Sequence, residues 1–154
     1  MLEKNCALRE LIFVAFFVFI LLLAQSRAEY MGGTASALAS GSGGSIELTD
    51  QRYLAFYTKG GQVRVAYDRI NLLEYGQKVD RRLLAAVVIS PMFLLSKSRK
   101  HFLTIGYMDE DGRQQALVFR VDKGGIRSAL VSLEARTGLK VQYQDEEARK
   151  AGKG

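Results

Sequence analysis

Residues 101–137 constrain the fold more than any other part of the chain, because the hydrophobic period changes once inside them. His101-Phe102-Leu103-Thr104-Ile105-Gly106-Tyr107 alternates, with Leu103, Ile105 and Tyr107 on one side. Met108-Asp109-Glu110-Asp111-Gly112 reads as a turn, and Gln114 to Val121 returns with Leu117, Phe119 and Val121 together. Period two over such lengths predicts antiparallel strands with one wet side. Then Ile126, Ala129, Leu130, Leu133 and Thr137 fall on one stripe of a helix. Asp122 is placed to cap its start, Gly138 to stop it, and Arg136 to meet the dipole in its last turn. A terminal helix of this kind has to bury its stripe against the sheet that precedes it.

Shorter β-like runs come before. Ser45 to Asp50, Tyr53 to Thr58, Val63 to Tyr67 and Ile70 to Tyr75 carry aromatic and β-branched residues. The Gly60-Gly61 pair between the second and third is a hairpin signal. Lys140 to Tyr143 predicts a short last strand, and the polar tail 144–154 is expected to fray. The expected class is α+β: a small curved antiparallel sheet, or partial barrel, closed by one C-terminal amphipathic helix.

Three stretches carry a resemblance: Leu73 to Lys78, Ser96 to Ile105, and Leu133 to Gly138. Together they resemble small bacterial exported proteins with a pleckstrin-homology-like (PH/GRAM-like) core, in which an apolar insert ends in a basic cluster just before a strand of the L-T-I type. The resemblance covers about 63–143 and implies a PH-like fold. Phosphoinositide-binding PH domains place basic residues in their first hairpin loops; here Lys59 to Arg64 offers only two cations, so that site is not carried over.

The N-terminus has the layout of a signal peptide. Leu11 to Ala24 is an uninterrupted apolar run of fourteen residues, and Ser26-Arg27-Ala28 puts small residues at −3 and −1 of a cleavage site after Ala28. The run is short for a membrane span, which takes roughly 20 residues; an uncleaved anchor is the other reading. The expected organisation is a signal peptide over 1–28, a Gly/Ser/Ala-rich linker over 29–45 and a domain over 46–143, exported to the periplasm or beyond. Cys6 precedes the run, so the exported part has no cysteine and no disulfide.

The chain carries 22 Lys and Arg against 16 Asp and Glu, a balance of +6. Residues 78–101 alone hold six cations and one anion, so the basic character is a local patch. Within it Leu83 to Leu95 is an apolar insert, broken by Ser90-Pro91. Arg81 and Arg82 stand before it, and Lys97, Arg99 and Lys100 after it. One reading makes 83–95 two buried strands that complete the core. The other makes it a loop that dips into one leaflet or docks on a partner, with Met92, Phe93 and Leu94 at its tip. The basic cluster has a bland reading too, as solvated charges ending a strand.

No catalytic constellation stands out. An EF-hand loop starting at Asp109 would need a glycine where Gln114 stands. Gly41 to Ser45 lacks the strand and final glycine of a phosphate-binding loop. His101 is the single histidine and has no cysteine partner for zinc in the exported part. The expectation is a non-enzymatic module without metal or cofactor, whose partner is an anionic membrane surface or a protein and not nucleic acid, with a purely structural or assembly domain as the alternative.

Overall fold

A computed structural model describes residues 25–77, 88–89 and 100–153 of the chain. They form an α+β fold: an open, curved, mostly antiparallel sheet with two helices. The strands are β1 (Gln25–Gly33), β2 (Ser42–Glu47), β3 (Tyr53–Thr58), β4 (Gly61–Ala66), β5 (Ile70–Gly76), β6 (Val88–Ile89), β7 (His101–Met108), β8 (Gln114–Val121) and β9 (Gln142–Tyr143). A single 3-10 turn, Tyr67–Arg69, joins β4 to β5. The helices are α1 (Lys123–Thr137) and α2 (Glu146–Lys153). The sheet runs β4-β3-β2-β1-β8-β7-β5-β9, and β6 pairs with β1 off that path. Only the β5–β9 pairing is parallel.

The inner face holds the core. Tyr30, Ile46, Leu54, Phe56, Leu73, Leu103, Ile105, Leu117 and Phe119 alternate inward along their strands, and Ile126, Ala129, Leu130 and Leu133 of α1 pack on them. Phe119 sits between Phe56, 4.8 Å away centre to centre, and Tyr30, 5.9 Å away. Tilted aromatic pairs of this kind add to the gain from burial alone. The helix ends where Gly138 adopts φ 72°, and its N–H donates to the carbonyl of Glu134 at 2.9 Å. Without a Cβ, glycine enters this left-handed region at no steric cost. Asp122 starts the helix through its backbone carbonyl, which accepts from Gly125 and Ile126, and its side chain makes no cap.

Three expectations are corrected. The linker drawn over 29–45 is structure: residues 29–33 belong to β1, which lies between β2 and β8, and residues 42–45 open β2. Tyr30 and Met31 are both buried, Tyr30 in the inner core and Met31 outside it. Small residues here allow close approach rather than freedom. A Cβ on Gly44 would run into the carbonyl of Tyr57 and the ring of Phe56. The boundary after Ala28 falls inside β1, with Ala28 opposite Gly44 on one side and Val121 on the other. The apolar run 11–24 lies outside the described residues.

The tail does not fray either. Asp145 Oδ1 accepts from Ala148 N at 2.6 Å, capping α2, and Ala148 and Gly152 bury one face of that helix. A Cβ on Gly152 would meet the Tyr143 ring at 2.6 Å and the Tyr75 ring at 3.3 Å, so the helix seats this closely only with glycine there. Finally, the second face of the sheet is not wet throughout. Met31, Phe102, Thr104 and Val118 are buried yet stand outside the inner core cluster, and Phe102 to Gly106 are buried in succession.

Candidate functional site

Three strand ends define one rim of the sheet. Ala28 of β1 faces Val121 of β8, and Val121 faces His101 of β7. Gly76 of β5 faces Phe102, so Gln77 and Lys100 stand at the same level. The start of β1 at Gln25 lies a few residues beyond Ala28 in that direction. The chain after the apolar run 11–24 therefore enters at the rim where the connection between β5 and β7 leaves and returns. That connection is not a simple hairpin. Its Val88 and Ile89 pair with Gly33 and Gly32 of β1, three strands away from β5.

Just inside the rim Tyr75, fully buried, approaches His101: the hydroxyl lies 2.5 Å from Nδ1, and the rings stack at 5.9 Å and 15°. Burial, with the positive charges of Lys123 and Arg127 nearby, holds the His101 pKa below its ordinary value. Burial likewise pushes the Tyr75 hydroxyl up. Tyr75 and His101 share this hydrogen bond, and the tautomer of the imidazole sets which of them donates. Tyr143 of β9 stands edge-on to Tyr75 at 5.9 Å, and Lys153 Nζ lies 5.7 Å from the centre of the Tyr143 ring. Arg127 Nε donates to the carbonyl of Ala151 at 3.3 Å, tying the first turns of α1 to the end of α2.

The rim thus gathers cations from three parts of the chain: Lys100 before β7, Lys123 and Arg127 on α1, and Lys153 on α2. Lys100 is half-buried; Lys123, Arg127 and Lys153 are exposed. Asp122 is the exposed carboxylate among them. The other end of the β7–β8 hairpin carries Asp109, Glu110 and Asp111 with Arg113, and Arg64, Asp68 and Arg69 stand beside it. At about 3.4 Å per residue, eight-residue strands separate the two ends by about 24 Å.

Of the expected contact residues, Lys100 is brought to this rim. Arg81, Arg82, Met92, Phe93, Leu94, Lys97 and Arg99 lie outside the described residues. Sequence reading does not single out Lys123, Arg127 or Lys153. The i, i+4 spacing of Lys123 and Arg127 was the available signal, and nothing local in the sequence ties Lys153 to them.

Elsewhere, a polar groove of about 560 Å³ crosses β1, β2 and β8, lined by Arg27, Glu29, Gly43, Gly44 and Arg120 among others. Arg120 and Glu29 form an ion pair across it. Among the described residues no three His, Cys, Asp or Glu side chains gather as a metal site, and no helix is long and apolar enough to cross a membrane. No family model matches the chain, and no curated protein sequence matches it.

Proposed function

We propose that this chain is an exported, non-enzymatic binding module with a pleckstrin-homology-like core, and that it engages a membrane surface or a protein partner through residues 81–100. Two antiparallel meanders, β1-β2-β3-β4 and β5-β7-β8, joined through β1 and β8 and followed at once by α1, support the PH-like reading. The observation that carries the functional one is the shared rim. Both apolar stretches of the sequence attach there, 11–24 through Gln25 and 83–95 through Gln77 and Lys100. The flanking cations are close to it in sequence. Arg81 is four residues from Gln77, at most about 14 Å of extended chain, and Lys97 is three residues from Lys100.

A second reading has its own support. Pairing of Val88 and Ile89 with β1, beside buried Val118, favours a structural domain in which 83–95 packs on the outer face of the sheet. One substitution separates the two. The chain has no tryptophan, so Phe93→Trp gives a single emitter. In the full chain reconstituted into vesicles, quenching of that emission by brominated phosphatidylglycerol supports membrane contact. Blue-shifted emission that brominated lipid leaves untouched, with or without vesicles, refutes it and selects the structural domain; for a soluble protein partner the emission would be red-shifted and unquenched.

A further inference from the structure

We infer that the described rim is itself a contact surface for an anionic lipid bilayer, formed by Lys100, Lys123, Arg127 and Lys153, and that it orients the domain with the 109–113 turn pointing away. The inference rests on the proposed binding role and extends it to residues outside 81–100. Three observations carry it.

The first is charge. Lys100, Lys123, Arg127 and Lys153 against Asp122 stand at the rim, a balance of +3, while at the far end of the β7–β8 hairpin Asp109, Glu110, Asp111 and neighbouring Asp68 stand with Arg113, Arg64 and Arg69, a balance of −1. A negatively charged plane therefore favours the rim over the far end. The second is connectivity. The chain outside the described structure is attached at this rim on the N-terminal side, and its nearest stretch is the apolar run Leu11 to Ala24. A run of that character, held in a bilayer, brings the start of β1 and everything level with it to the headgroup layer. The third is the build of the rim. Lys123 and Arg127 stand one turn apart on α1, Arg127 is fixed to Ala151, and Lys153 rests over Tyr143. The charges are therefore carried on packed elements, so little conformational entropy is lost on contact. A dispersed set of solvated lysines would lack that arrangement, and the opposite end shows that the surface is not uniformly basic.

The test is hydrogen exchange on the full chain, reconstituted into phosphatidylcholine alone and into phosphatidylcholine mixed with phosphatidylglycerol. The anionic vesicles are expected to slow exchange over 100–103, 122–127 and 151–153 and to leave 109–113 unchanged. Lys123→Gln with Arg127→Gln and Lys153→Gln should abolish that difference. Each cation near such a surface is worth about 1 kcal/mol, so each loss weakens anionic-lipid contact by about five-fold. Lys123→Gln alone, at an exposed first-turn position, should lower it by that single step and covers the case in which the triple variant folds poorly. Slowing at 109–113, equal slowing everywhere, or an unchanged difference in these variants would overturn the inference. Lys97→Gln with Arg99→Gln separates it from the reading beneath it. Loss of the effect in that pair but not in the rim variants keeps 81–100 and removes the rim; the converse keeps the rim and removes 81–100.

Discussion

Removing the first four residues of β1 gives the sharpest test of the architecture, because processing after Ala28 would make that change. A chain starting at Glu29 loses the pairing of Gln25, Ser26, Arg27 and Ala28 with Glu47, Ile46, Ser45 and Gly44. Four antiparallel pairs correspond to about four ladder hydrogen bonds. Two further bonds go with them: Asp122 N–H to the carbonyl of Arg27 at 3.1 Å, and Ser26 Oγ to the carbonyl of Gly125 at 3.2 Å. These two hold the start of α1 to the sheet. At a net 0.5–1.5 kcal/mol each, about six bonds represent about 3–9 kcal/mol. The groups freed on β2 regain water, which argues for the lower part of that range, about 3–5 kcal/mol. Against a typical stability of about 5–15 kcal/mol, such a loss leaves a marginal domain. Urea melts of chains beginning at Gln25 and at Glu29 measure it. Equal midpoints would refute the reasoning.

Leu133 is fully buried under the sheet, so Leu133→Ala should cost about 2–5 kcal/mol, read from urea melts. The Tyr67 hydroxyl is buried with no hydrogen-bond partner among the described residues. Tyr67→Phe should therefore leave stability unchanged or raise it, by no more than about 1–3 kcal/mol; a clear loss in thermal melts would show a hidden partner. Gly152→Val should undock α2, speeding exchange over 146–153 while moving the main unfolding transition less than Leu133→Ala does. The folded-state pKa of His101 lies below its ordinary 6.5, so the unfolded chain binds the extra proton first. Stability is full above about pH 6.5 and falls as pH drops through the folded value. His101→Gln should remove that component from a pH series of melts, and a wild-type profile that rises on acidification would contradict the assignment.

The part of the fold that alternation and helical period can report was legible. β7, β8 and α1 have long patterned runs, and their inward residues are the ones the period selects. β1 and the start of β2 were not legible, because small residues in the middle of a sheet can sit where neighbouring groups come close. Tyr30 of β1 and Phe56 of β3 crowd against Gly33 and Gly44, and composition alone reads 29–45 as a spacer. The same holds for α2. Ala148 and Gly152 supply no apolar period, and what seats the helix is the pair of rings on Tyr75 and Tyr143, presented by strands far away in sequence.

The rim illustrates the limit from the side of charge. Charge density along the sequence singles out 78–101, of which the fold places Lys100 just before β7. It cannot see that β8 brings its own end level with His101, and so carries Asp122 and the first turns of α1 there as well. Nor can it see that α2 lies back against α1 through the Arg127–Ala151 bond. Lys123, Arg127 and Lys153 look like ordinary solvated charges in a linear window, and the fold brings Lys123 and Arg127 near His101 and Lys153 over Tyr143. Conversely, the acidic turn at 109–111 is neutral on functional grounds in the sequence, where it is only the wrong pattern for calcium. Only the fold shows that this turn lies at the far end of the hairpin from Lys100 and Lys123, beside Arg64 and Arg69.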